Sequence, residues 1–166
     1  MHKLFACLIA ALIAVAAALA EAPPNETFLQ VDGAEMAVAL PDGFIRLPAD
    51  PLDANRFRYT FENPASGVRW IAEGCLPDQE EQNIVLRKVK DPSNRFVLFD
   101  DVLLGECRYL AYCSAINTRM WNFLMLTEAG YSYRFYYMLP EQQGQDTIPD
   151  EAMVILSTLR LTLPGD

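Results

Sequence analysis

Between residues 95 and 139 the chain is almost continuously β-prone. Four runs, "RFVLFDD", "ECRYLAYCSAI", "RMWNFLMLT" and "YSYRFYYML", follow one another with only short polar or glycine-containing breaks. Such runs, rich in aromatic and branched residues, suit a pleated surface. Breaks this short leave no room for crossover helices, so consecutive runs are expected to pair antiparallel as a meander. The turn at "TEAGYS" (127–132) is the clearest of the set.

The flanking sequence adds strands and two helices. "MAVALPDGF" (36–44) reads as a short strand entering a Pro-Asp-Gly turn. "RFRYTFENPASGVRWIAEG" reads as a hairpin, with Phe57, Tyr59 and Phe61 alternating with Arg56, Arg58 and Thr60. Asn63 to Gly67 turn the chain, and Val68, Trp70 and Ala72 return on one face. In "LPDQEEQNIVLRKVKDP", Asp78 and Glu81 resemble a capping box and Asp91-Pro92 a stop, which predicts a helix from about 79 to 90. A final helix is expected in "TIPDEAMVILSTLRL". There Thr147 can cap, Pro149 suits the first turn, and Ala152, Ile155, Leu156 and Leu159 have helical spacing. No internal repeat is present.

The first residues read as an export signal. Lys3 precedes an uncharged run from Leu4 to Ala20 that ends Ala18-Leu19-Ala20, a small-x-small cleavage pattern. The run is slightly short for a spanning helix, and an uncleaved N-terminal anchor is the alternative. Residues 1–20 are thus expected to be a signal peptide, 21–27 a flexible lead-in and 28–163 one domain. The expected location is secreted or periplasmic, with no membrane span after cleavage. Asn25-Glu26-Thr27 fits a glycosylation sequon.

Charge and histidine content remove whole classes of function. Acidic residues number 22 against 13 basic ones, a formal charge of −9. Cleavage after Ala20 also removes Lys3, making it −10. Phosphate backbones attract Lys and Arg, so nucleic acid is not an expected partner. The one histidine is His2, within the signal. The exported chain therefore lacks the commonest general base and transition-metal ligand, which excludes Ser-His-Asp and Cys-His catalysis and histidine-containing zinc sites.

Three cysteines remain after the signal: Cys75, Cys107 and Cys113. Cys107 and Cys113 share strand parity and lie roughly 20 Å apart along an extended chain, beyond the approximately 7 Å a disulfide spans. If strands near 68–74, 95–101 and 106–116 were consecutive neighbours, Cys75 would sit at the same end as Cys113. The expected bridge is Cys75–Cys113, with Cys107 free; three buried thiols are the alternative. The same geometry keeps the three from converging on a metal.

Tyr131, Tyr133, Phe135 and Tyr137 alternate on one strand face, with Trp121, Phe123 and Tyr109 on neighbouring runs. These seven residues form either a ligand or interface surface or an aromatic core under the last helix, the arrangement that burial statistics favour. Asp100-Asp101 are expected on opposite faces, and Glu80-Glu81 and Asp150-Glu151 in helix first turns, where the dipole favours them. No carboxylate pair suggests glycoside hydrolysis. Arg56 and Arg58 share a face, with Arg108 and Arg134 off the aromatic stripe. They read as surface ion pairs or as a basic spot for a carboxylate ligand.

The expected fold is α+β, an antiparallel sheet of about six to seven strands packed with two or more helices. With "ALPDGF" (39–44), "ENPASG" (62–67) and "ILSTLRL" (155–161), the order of elements resembles the PsbP-like superfamily. That superfamily includes an extrinsic photosystem II subunit, a Ran-binding import factor and DcrB-type bacterial secreted proteins. The resemblance implies a PsbP-like α/β sandwich and a non-enzymatic accessory or protein-binding role. No cofactor or metal is expected. The rival expectation is a carrier of a small apolar or aromatic ligand, held between the sheet and the C-terminal helix. A hydrolase using only carboxylates is a distant third.

Overall fold

In the computed structural model, residues 25–31, 34–49, 58–75, 86–127, 132–140 and 144–163 are described. Strands β3 (Ile45–Arg46), β4 (Arg58–Asn63), β5 (Val68–Cys75), β6 (Phe96–Leu104), β7 (Cys107–Ser114), β8 (Asn117–Leu126) and β9 (Ser132–Met138) form one antiparallel sheet. Its order is β3-β4-β5-β9-β8-β7-β6. The meander expected over 95–139 is there as β6 to β9, and the expected hairpin is β4–β5. A second sheet, β1-β2-β10, contains β1 (Glu26–Val31), β2 (Ala34–Ala39) and β10 (Arg160–Thr162). The fold is mostly β; among the described residues the helices are short, with α1 over 86–90, a 3-10 turn at Pro92–Asn94, and α2 (Asp150–Ser157). Residues 79–85 of the expected first helix lie outside the described residues, as do the signal and most of the lead-in.

The period-two aromatic pattern decides which face of the large sheet is inward. Register aligns Phe61, Trp70, Tyr137, Trp121, Cys113 and Val97 in one row across six strands, with Tyr59, Ala72, Phe135, Phe123 and Ala111 in the next. Leu29, Met36 and Val38 of the small sheet and Ala152, Ile155, Leu156 and Leu159 of the C-terminal segment close over these rows. Trp70 stacks on Phe135 at 5.9 Å, and Tyr109 meets Phe135 edge-on at 6.0 Å. Burying each such side chain stabilises the fold by about 1.5–3 kcal/mol, so this layer dominates the energetics.

Several elements depart from the sequence expectation, each for a local reason. β1 begins at Glu26, inside the expected lead-in, because its residues pair one for one with β2 from Glu26↔Ala39 to Val31↔Ala34. Thr147 does not cap α2; Pro149 stands at the N-cap without a side-chain hydrogen bond. The helix also stops short of "TLRL". The Thr158 hydroxyl donates to the Ile155 carbonyl and accepts from the Ala39 amide at 3.0 Å. That clamp turns the chain, and Arg160 to Thr162 pair with β2 as a strand. Asp100 and Asp101 do not alternate simply, since a register shift between Phe99 and Val102 forms a bulge with Asp101 at φ 61°. A bulge carrying two charges protects β6, the sheet's edge strand, from pairing with another chain.

Among the described residues, α1 packs over one side of the outer face. Leu86 and Val89 of α1 pack on Leu98, Leu110, Tyr112 and Leu124, which shields the β6–β7–β8 side. On the β4–β5–β9 side, Arg58, Thr60, Arg69, Ile71, Glu73, Arg134, Tyr136 and Met138 share one face by register, with Ile71 and Glu73 buried.

Candidate functional site on the outer face of the sheet

The aromatic stripe is interior, not a surface. Trp121, Tyr133 and Phe135 are 0 % exposed, Tyr109 and Phe123 1 %, and Tyr137 2 %; Tyr131 lies outside the described residues. Burial also fixes the chemistry of the polar tips. Burial and the neighbouring Cys107 push the Tyr109 hydroxyl well above the usual phenol range. Burial and the Glu151 carboxylate, which accepts its hydrogen bond, do the same for Tyr137.

Cys113 is a free, fully buried thiol, so the expected Cys75–Cys113 bridge is not present. Sheet order supplies the reason. β5 pairs with β9 rather than with the strand that follows it in sequence, so three strand spacings, about 14 Å, separate β5 from β7. Cys75 is level with Ser132 and Leu126, whereas Cys113 is level with Trp121. That adds about 17 Å along the strands, far beyond disulfide reach. Cys107 is also free, as expected, and half-buried, with its thiol 3.9 Å from the Leu159 carbonyl. Desolvation raises both thiols, Cys113 to about 11, which leaves them protonated and unreactive at neutral pH.

The polar chemistry gathers instead on the β4–β5–β9 half of the outer face. Arg58, Glu73 and Arg134 occupy one cross-strand row, so the carboxylate lies between two guanidinium-bearing neighbours. Glu73 is only 5 % exposed, and a buried carboxylate is tolerated when such partners surround it. Tyr136, two residues from Arg134 on the same face, hydrogen-bonds both Glu73 and Arg134. Burial first, then the Glu73 charge, push its hydroxyl up to about 12, against the opposing pull of Arg134. The group is a structural donor, not a base. Sequence reasoning singled out Arg58 and Arg134 but missed Glu73; the available signal was its shared parity with Arg69 inside an otherwise apolar strand. Arg108, grouped with these arginines beforehand, lies across the sheet on Asp101 at 2.7 Å. Arg56 lies outside the described residues.

Beside this row is a cleft of about 330 Å³. Leu47, Pro48 and Ala49 form one wall, Thr60, Ile71 and Met138 the floor, and Arg58 and Arg69 also line it. Arg69 is held by Glu62 through a 2.6 Å contact from Nε. Two further clefts differ in charge. One of about 260 Å³ contains Lys90, Asp100, Asp101 and Arg108, with Lys90 and Asp100 3.0 Å apart. The other, about 230 Å³, contains Glu26 and Asp42. Among the described residues no group of three or more His, Cys, Asp or Glu side chains is placed to hold a metal ion. No helix among them is long and apolar enough to cross a membrane. Compared with models of known protein families and with curated proteins, the chain matches none.

Proposed function

We propose that this chain is an exported, non-enzymatic accessory module that engages another protein, built on a PsbP-like sandwich and acting in the periplasm or outside the cell. One observation carries the reading: the aromatic layer is filled, with its six described members 0–2 % exposed. A carrier holding its ligand between the large sheet and α2 needs room where these side chains interlock. The outer face, with its arginine-flanked carboxylate row and clefts, supports a surface for recognition. The raised thiols and tyrosines and the single histidine at position 2 support a binding role over catalysis.

Site-specific photocrosslinking in the native host tests it. A crosslinker at Glu62, on the β4–β5–β9 half of the outer face, is expected to trap one defined polypeptide. The same group at Phe28, which is exposed on the small sheet, is expected to trap none. If neither position yields a protein adduct while a lipid or metabolite is extracted with the purified chain, the module reading falls and a carrier replaces it.

A further inference from the structure

The cleft between α1 and the β6 bulge holds both partners of each of its ion pairs. Lys90 stands 3.0 Å from Asp100, and Arg108 stands 2.7 Å from Asp101. Two cations thus meet two carboxylates within the same walls, and the charges cancel there. The bulge makes this possible. On a regular strand consecutive residues point to opposite faces. Asp100 and Asp101 nevertheless both line this cleft, because Asp101 takes φ 61° where the register shifts between Phe99 and Val102. A positive φ is uncommon outside glycine, and bulges recur where a strand re-aims a side chain toward a site.

Beside these pairs the lining is leucine. α1 supplies Leu86, β7 supplies Leu110, and β8 supplies Leu124 and Leu126. Leu110 and Leu124 are register partners and pack with Leu86 and Val89 of α1. Leu126, two residues beyond Leu124 on the same face, is 38 % exposed, so the floor runs from covered leucines to an open one. A charged ligand here would lose water against leucine and find every side chain of opposite sign already engaged. An uncharged molecule loses little and buries its hydrocarbon. The volume, about 260 Å³, is just under the usual range for small-molecule sites and suits a body of about six to ten non-hydrogen atoms.

We infer that this cleft is a binding site for a small uncharged apolar molecule of the medium-chain alcohol type, its hydrocarbon over Leu110, Leu124 and Leu126 and its hydroxyl at the ion-paired rim. This goes beyond engagement of a protein partner and stands without it. Titration of the purified chain with 1-hexanol, followed by amide chemical shifts, tests it, with sodium hexanoate and hexylammonium chloride as charged probes of the same length. Hexanol is expected to bind with Kd of about 1 mM or tighter, and each charged probe about fivefold more weakly or worse. Shifts are expected at Leu86, Lys90, Leu110, Leu124 and Leu126. Leu126→Ser, at a half-exposed position, is expected to weaken hexanol about threefold or more, while Ile116→Ser, 88 % exposed in the β7–β8 turn, leaves it unchanged. Asp101→Asn retains a residue type that tolerates positive φ and frees Arg108, so hexanoate is expected to bind about threefold tighter than it does to the parent chain. Absence of saturable hexanol shifts up to about 20 mM overturns the proposal. So does equal or tighter binding of both charged probes to the parent chain, unchanged hexanol affinity in Leu126→Ser, no gain for hexanoate in Asp101→Asn, or shifts confined to another face. Failure of the crosslinking experiment leaves these titrations unaffected, so the two readings fall separately.

Discussion

At Tyr136 a single hydroxyl reports on the whole outer-face cluster. Its pKa is raised from 10.0 to about 12 in the folded chain, by burial and by the Glu73 carboxylate, whereas an unfolded tyrosine titrates at about 10. Above pH 10 the unfolded chain therefore releases a proton that the folded chain retains, so stability is full below pH 10 and falls as pH rises toward 12. Tyr109 and Tyr137 push in the same direction. Chemical denaturation measured from pH 9 to 12 is expected to show this fall, and Tyr136→Phe to make it shallower. An unchanged slope in Tyr136→Phe would place the titration elsewhere. At this scale the sequence was readable where parity alone decided the outcome, as for Trp121, Phe123, Phe135 and Tyr137. It was not readable for Cys75 or Glu73, whose surroundings depend on which strand lies beside β5.

Elements were legible to the extent that their signals were local. The β4–β5 hairpin and the strands β6 to β9 follow from alternation and turn residues. β1 was hidden because Phe28 and Gln30 are exposed and the stretch reads as polar lead-in. β10 was hidden because Leu159 continues the helical spacing of α2, and only the Thr158–Ala39 contacts, across 119 residues, end the helix there. The β6–β7 turn shows how tightly elements meet. Gly105 has φ +60°, and a Cβ built on it would lie 2.3 Å from the Ser157 carbonyl oxygen at the end of α2. Gly105→Ala is therefore strained in its backbone and in collision with another backbone. Thermal or chemical denaturation is expected to show a loss of about 3 kcal/mol or more. A loss within 0.5 kcal/mol would mean that the turn and α2 can separate freely.

For the whole molecule, the decisive arrangement is that sheet order does not follow chain order. β3–β4–β5 and β6–β7–β8–β9 are each local meanders, and their seam is β5 against β9, in register from Arg69↔Met138 to Cys75↔Ser132. No local pattern in either strand names the other, which is why the seam and the cysteine distances were not legible. The small sheet repeats the theme, with β2 between β1 and β10. Deleting residues 160–163 uncovers one edge of β2 and removes Leu161 and Leu163, which pack against the main core. That truncated chain is expected to melt at a clearly lower temperature, and Arg160→Gln in the full chain to reproduce part of the loss, because the Glu26 carboxylate it pairs with is almost fully buried. Equal melting of the truncated and full chains would show that β10 is peripheral.

β10 also sets when folding can finish. The strand that completes the small sheet comes from the last few described residues, and its partner β2 is made more than a hundred residues earlier. A chain emerging from its N-terminus, whether from the ribosome or through a membrane pore, can form its hairpins as they appear. It cannot complete the layer over the aromatic rows until residues 160–162 arrive. Until then the β2 edge stays open and Trp70, Trp121 and Phe135 lack part of their lid. The assembled protein is thus closed by β10, and the interval before that closure is when a chaperone or a like chain has access to the aromatic layer.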